Sequence, residues 1–214
     1  MKIDKLNISV LILSVLSFIG LSVMYSYLPD TIPIHWNING EVDNYGSKAM
    51  IFLLGALPAA MWFLMMVLPK IDPKRENYKL HSKAYEVIII SIILIFIALG
   101  WITVYTALGH AIKINLYIPL LIGILLIIIG NYMPTIKHNY FFGIRNPWTL
   151  ANEVVWKKTH KAGGYVFIIM GVLFGLDAFI QSKSLIITSI ILIGVLIIAV
   201  NVYSYLIFRK IKSN

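Results

Sequence analysis

The stretch Val87-Ile88-Ile89-Ile90-Ser91-Ile92-Ile93-Leu94-Ile95-Phe96-Ile97-Ala98-Leu99-Gly100-Trp101-Ile102-Thr103-Val104-Tyr105-Thr106-Ala107-Leu108 holds no charged residue. A helix rises about 1.5 Å per residue, so this run is long enough to cross a hydrocarbon core roughly 30 Å thick. No backbone group could find water there, so each must bond within the segment, which makes the run a helix. Strands of a membrane barrel would alternate in polarity, and this run does not. Comparable runs recur, and spans are placed at 6–27, 50–69, 86–108, 114–133, 163–180 and 185–208. The predicted fold class is an all-α membrane protein with six transmembrane helices, multi-pass in the cell membrane.

Composition agrees. Of 214 residues, 59% are hydrophobic and 13% charged, about half the charge of an ordinary soluble domain. No cysteine is present, which excludes disulfides, thiolate metal sites and cysteine nucleophiles. The first apolar run, after Met1-Lys2-Ile3-Asp4-Lys5, exceeds a signal-peptide core and lacks a small-x-small cleavage site, so it is read as a retained helix. The net charge of +9 is read as flanking charge, without direct nucleic-acid binding. Fifteen of the eighteen Lys and Arg fall in the N-terminus, segment 70–85, segment 134–162 and the C-terminus, leaving Lys48, Lys113 and Lys183 in the alternate segments. The positive-inside rule therefore predicts cytoplasmic N- and C-termini.

The chain divides in linear order into 1–49 (first helix and loop), 50–133 (helices 2 to 4), 134–162 (a cytoplasmic motif loop) and 163–214 (helices 5 and 6 with a basic tail). The short links 109–113 and 181–184 predict antiparallel neighbours for helices 3/4 and 5/6. Tyr25, Tyr27, Trp36 and Tyr45 on one side, with Tyr132, Tyr140, Trp148 and Trp156 on the other, read as interfacial aromatic belts. Asn77-Tyr78 after helix 2 echoes Asn139-Tyr140 after helix 4.

The external segment runs Ile32-Pro33-Ile34-His35-Trp36-Asn37-Ile38-Asn39-Gly40-Glu41-Val42-Asp43-Asn44-Tyr45-Gly46-Ser47-Lys48. Asn39-Gly40 marks a tight turn, and Ser47 is a candidate cap for helix 2. The loop reads either as a recognition surface displaying His35, Trp36, Asp43 and Tyr45 or as a compact lid. His35, Glu41 and Asp43 match no zinc spacing, so no metal is expected. In the cytoplasmic segment, Asn146 is a predicted N-cap with Pro147 at the first helical position. Leu150 and Val154 share a face, Lys157, Lys158 and Lys161 form a basic side, and Gly163-Gly164 read as a break or hinge before helix 5. That pattern reads as a basic amphipathic helix on the membrane surface or as a docking surface for a cytoplasmic protein. Asp177, one turn inside the external end of helix 5, reads either as a functional intramembrane acid or as lying at a hydrated helix end.

Enzyme signatures are missing: there is no H-E-x-x-H, no G-x-S-x-G and no phosphate loop. No catalytic role and no cofactor are expected, and a small permease or exporter is the alternative class.

Two motifs carry a resemblance. Ile-Pro-x-His-Trp-Asn…Gly…Asp…Ser-Lys after helix 1, and Asn-Tyr-x-x-Gly-Ile-Arg-x-Pro-Trp-Thr-Leu…Trp…Thr-His…Gly-Gly between helices 4 and 5, resemble the two signatures of the SdpI family. One departure is Asn146, where the family pattern has Thr or a similar residue before Pro147. The resemblance implies a membrane immunity protein against a secreted peptide toxin, the sporulation-delaying killing factor. It also implies a receptor that recruits a cytoplasmic transcriptional repressor when toxin is present. On that basis His35, Trp36, Asn37, Asp43 and Tyr45 are candidate toxin contacts, and Arg145, Trp148, Trp156, Lys157 and His160 are candidate docking residues.

The charge asymmetry makes a direct prediction. A reporter active only outside the cytoplasm should give signal when fused near residues 40, 111 and 183, and none at 75 or 150. The reverse pattern contradicts the orientation.

Overall fold

The computed structural model describes residues 5–213, with side chains from Leu6 onward. The expected basic residue Lys2 and the side chain of Lys5 therefore lie outside the described residues. In order, the elements are α1 (Lys5–Met24), β1 (Thr31–Trp36), β2 (Val42–Ser47), α2 (Met50–Ile71), α3 (Asn77–Leu80), α4 (Ser82–Ala107), α5 (Ile114–Tyr132), α6 (Pro147–Ala151), α7 (Glu153–Ile180) and α8 (Lys183–Lys212). Short 3₁₀ turns at Tyr25–Tyr27 and Met133–Thr135 follow α1 and α5.

Among the described residues six helices are long and apolar enough to cross a membrane: Leu6–Tyr27, Met50–Ile71, Ser82–Ala107, Ile114–Thr135, Glu153–Ile180 and Lys183–Lys212. Their outward faces explain why. Leu16 is 59% exposed, Phe63 65% and Ile198 64%, among many other large apolar side chains. Such surfaces are untenable in water, whereas lipid solvates them. The chain is a multi-pass membrane protein.

The fold comprises two compact units. One contains the residues up to Met66 together with Ile89–Ile118. Its core joins Leu21, Leu28, Ile32, Ile51 and Val104. Trp101 Nε1 donates to Ser17 Oγ (3.0 Å) and Trp62 Nε1 to the Asn7 carbonyl (3.0 Å), so both indoles find acceptors on α1.

The other unit contains Val67–Ile88 and Pro119–Asn214. Here α7 and α8 pack side by side, as the short 181–184 link predicts. Asn152 begins α7 by accepting from the Val154 and Val155 amides at 2.8 and 3.1 Å. The helix then continues without interruption to Ile180 and ends on Gln181 in the left-handed region. Two expectations are corrected here. Gly163-Gly164 do not break or hinge the chain, and residues 147–162 do not form a separate surface helix. They comprise the short α6 and the first turns of α7. The glycines serve close approach instead. A Cβ on Gly164 would stand 2.8 Å from the Gly130 carbonyl, and one on Gly163 2.3 Å from Ile144 Cδ1. About two turns along the same helices, a Cβ on Gly171 would meet the Gly123 carbonyl at 2.6 Å. Membrane helices lack a hydrophobic drive to associate and gain from backbone contact through small residues. Asp177 is also corrected: it is 6% exposed, and its Oδ1 accepts from Ser189 on α8 at 3.2 Å.

Overpacking of this kind costs about 1–3 kcal/mol. Gly164→Val and Gly171→Val should each lower the thermal unfolding midpoint of the detergent-solubilised protein accordingly. Unchanged midpoints would contradict a close α5–α7 approach.

Candidate functional site

Segment 134–146 is irregular, and it lies between two membrane spans. Its peptide groups therefore need partners from the chain itself. Asn139, fully buried, supplies most of them. Its Oδ1 accepts from the Phe141 and Phe142 amides at 3.0 and 2.6 Å. Its Nδ2 donates to the Lys137 and Phe142 carbonyls, both at 2.9 Å. Beside it, Asp72 is 2% exposed. Asp72 Oδ1 accepts from the Lys74 amide at 2.7 Å, and Oδ2 accepts from the Tyr140 amide at 2.9 Å. The Tyr78 hydroxyl lies 3.0 Å from Asp72 Oδ2 and 3.2 Å from Asn139 Oδ1, which ties the two anchors together. Burial, then the hydrogen bond to Asp72, raises the Tyr78 pKa and keeps the phenol protonated. The echo noted in the sequence thus converges in space: Asn77 Nδ2 donates to the His138 carbonyl at 2.7 Å, while Tyr78 meets Asn139.

Three histidines complete the cluster. His81 Nδ1 accepts from the Lys137 amide at 3.2 Å, and burial pushes its pKa down to about 4. The Lys74 ammonium donates to His138 Nδ1 and, at 3.2 Å, to Glu153. Burial first, and the Lys74 charge second, lower the His138 pKa. His160 Nε2 accepts from the Ile144 amide at 3.1 Å, so its proton sits on Nδ1, which donates to the Trp156 carbonyl at 2.9 Å. Gly143, with φ 114°, carries the chain past this ring, and a Cβ there would stand 2.3 Å from His160 Nε2. The Trp156 indole stacks on His160 with centroids 4.0 Å apart and donates to the Ile136 carbonyl at 2.9 Å.

Asn146 caps α6 as expected. Its Oδ1 accepts from the Thr149 amide, and the Thr149 hydroxyl accepts from the Asn146 amide, both at 2.9 Å. Its Nδ2 then donates to Asn201 Oδ1 at 3.1 Å and Ser204 Oγ at 2.8 Å on α8. A threonine could cap, but it has no amide to reach α8. The departure from the family pattern therefore has its own structural use.

The docking candidates divide by burial. Arg145 and Lys157 are exposed and Trp148 half-buried, whereas Trp156 is 2% exposed and His160 fully buried. Trp156 and His160 build the loop's support and offer no surface, and Trp156 does not belong to an interfacial belt. On α7 the inward face is Val155, Trp156, Thr159, His160 and Gly163, and Val154 points outward. Sequence reading missed Asp72 and His81, and met Tyr78 only as part of the Asn77-Tyr78 echo. The usable signal was a single acid immediately after a span, in Ile71-Asp72-Pro73.

In the other unit, β1 and β2 form an antiparallel hairpin, with Thr31 opposite Ser47 and Trp36 opposite Val42. Ile32, fully buried, anchors it to the α1, α2 and α4 core. Gly40, at φ 77°, makes the expected turn. Asn37 Oδ1 accepts from the Asn39 and Glu41 amides at 2.9 and 3.1 Å, so this candidate shapes the turn. His35 Nδ1 and Asp43 Oδ1 pair across the strands at 2.6 Å. His35, Asp43 and Tyr45 are exposed and Trp36 half-buried. Ser47 Oγ accepts from the Ala49 amide at 3.3 Å, just before α2. Among the described residues no group of three or more His, Cys, Asp or Glu side chains is placed to hold a metal.

A pH dependence follows from His81. Its folded pKa of about 4 lies below the unfolded value of about 6.5. Neutral His81 therefore stabilises the fold fully above about pH 6.5, and that contribution is lost as pH falls toward 4. The unfolding midpoint should drop between pH 7 and 5, with His138 acting in the same direction. His81→Gln should flatten that slope. An equally steep slope in the variant would contradict the assignment.

Residues 135–204, which contain most of this cluster, match the SdpI/YfhL protein family. Residues 12–58, which contain the hairpin, match a domain of unknown function, DUF1648. The chain is also 28% identical over 210 residues to "Immunity protein SdpI" of Bacillus subtilis (strain 168), covering 98% of this chain and 99% of that protein. No solved structure matches it. The Asn139-centred loop and its α7 support thus lie within the stretch that is similar to the SdpI/YfhL protein family, and the similarity to the Bacillus subtilis protein runs nearly end to end.

Proposed function

We propose that this chain is a membrane immunity protein that protects a cell against a secreted peptide toxin. The observation that carries the reading is the alignment, along nearly the whole of both chains, with a protein named for immunity. The residue chemistry supports a binding role. Within the 134–164 cluster, buried Asn139, Thr149, Trp156 and His160 are engaged in holding backbone.

The hairpin is the proposed toxin-facing surface. It is anchored at one end by Ile32 and displays a half-buried indole beside the His35–Asp43 pair. Tryptophan is a frequent binding anchor, and a rigid hairpin loses little entropy on binding. The exposed Arg145 and Lys157, with half-buried Trp148, form the proposed docking face for a cytoplasmic repressor, with the termini on that same side. A DNA-binding protein reaches only cytoplasmic segments, and the basic 134–162 segment is the longer of the two available.

Expression in a strain sensitive to the killing-factor peptide should restore growth in its presence. Trp36→Ala with Asp43→Ala should reduce that protection at least tenfold in tolerated toxin concentration, the equivalent of about 1.4 kcal/mol, at unchanged membrane abundance. Arg145→Ala with Trp148→Ala should weaken toxin-dependent membrane recruitment of the repressor more than resistance. No protection by the wild-type chain contradicts the immunity reading. Full protection by the hairpin variant contradicts the surface assigned to it.

A further inference from the structure

The unit containing α7 has a groove of about 720 Å³ whose lining, Lys157 apart, the immunity reading leaves unused. Its basic lining is Lys137, Lys157, Lys158 and Lys161, and its apolar lining includes Leu80, Pro134, Ile136 and Val154. Glu153 is the one carboxylate on its wall, and Lys74 already holds it at 3.2 Å. Among the described residues none of the four lysines forms an ion pair. Four unneutralised cations therefore face a space whose acid is occupied.

The arrangement follows from helix periodicity. Val154, Lys157, Lys158 and Lys161 recur at helical spacing on one side of α7, while Val155, Thr159, His160 and Gly163 bury the other. Leu80 is 67% exposed and Val154 50%, so apolar side chains stand open beside the ammonium groups. A soluble anion would use the lysines and leave that apolar wall bare. The groove also sits where two spans end: Pro134 belongs to the span Ile114–Thr135, and Lys157 to Lys161 lie in the first turns of Glu153–Ile180. That is the depth at which a bilayer places its phosphodiester layer above the acyl chains.

We propose that this groove binds one anionic phospholipid, with its phosphodiester oxygens on the four lysines and its upper acyl chain against Leu80 and Val154. Each lysine close to an anionic headgroup strengthens attachment about fivefold.

The test uses the full chain, purified in an uncharged detergent and titrated with phosphatidylglycerol, phosphatidylcholine or inorganic phosphate. The unfolding midpoint and the lipid retained in native mass spectrometry are both read. Phosphatidylglycerol should raise the midpoint and remain bound at one molecule per chain, while the other two do neither. The triple variant Lys157→Gln, Lys158→Gln, Lys161→Gln should need about a hundredfold more phosphatidylglycerol, and Lys210→Gln with Lys212→Gln should respond as wild type. Should the triple variant fail to fold, Lys137→Gln on the opposite wall decides, with an expected loss of about fivefold. An undiminished response in the triple variant, or in Lys137→Gln where that variant decides, overturns the site. A matching effect of phosphatidylcholine overturns the role of charge. A matching effect of inorganic phosphate overturns the lipid as occupant.

Discussion

Irregular backbone next to a bilayer must be satisfied by the chain's own side chains, because each buried donor or acceptor left unpaired costs about 1–3 kcal/mol. In this protein Asp72 and Asn139 meet most of that requirement. Between them they engage the amides of Lys74, Tyr140, Phe141 and Phe142 and the carbonyls of Lys137 and Phe142. His160 and Trp156 extend the same support from α7, to the Ile144 amide and the Ile136 carbonyl. Once these bonds are made, the course of residues 136–146 is fixed. Arg145 is then outside and the Asn146 amide is aimed at α8. The groove depends on the same bonds, since one of its walls is the 134–138 segment and the other is the outer face of α7.

The six spans were legible because length and absence of charge decide them, and no tertiary detail intervenes. Asn39-Gly40 and Asn146-Pro147 were legible for a similar reason: a positive φ and a helix start are local requirements with few residue solutions. The rest depended on partners far along the chain. Gly163-Gly164 signals either flexibility or close approach, and only the position of the Gly130 carbonyl separates the two. Trp156 and His160 occur in a run of lysines, where a surface reading is natural. Their burial follows from a loop that folds back over α7. Asp72 drew no notice because a single carboxylate in a basic segment resembles a solvated residue, and its acceptor role appears only when the Tyr140 amide arrives beside it.

This division of labour bears on function. Buried Asn139, Thr149, Trp156 and His160 act on backbone, so their replacement reports on folding. Among the exposed ones, Lys157, Lys158 and Lys161 are available to lipid or protein, whereas Arg145 also donates from Nη1 to the Tyr140 carbonyl at 2.8 Å. The hairpin has the same logic: Asn37 and Gly40 make the turn, Ile32 anchors it, and His35, Asp43 and Tyr45 stay exposed on the proposed toxin-facing surface. In both places a rigid frame presents a small set of free side chains, as suits a protein whose relative is named for immunity rather than for catalysis.

Amide hydrogen exchange across residues 137–146 tests the central claim, that this loop is held in one conformation by Asp72, Asn139 and His160. The Tyr140, Phe141, Phe142 and Ile144 amides all have side-chain acceptors. They should exchange as slowly as amides within α7 in the detergent-solubilised protein, and Asn139→Ala should release Phe141 and Phe142 selectively. Exchange of these four amides at the rate of an open, solvated loop in the wild-type protein would contradict the account.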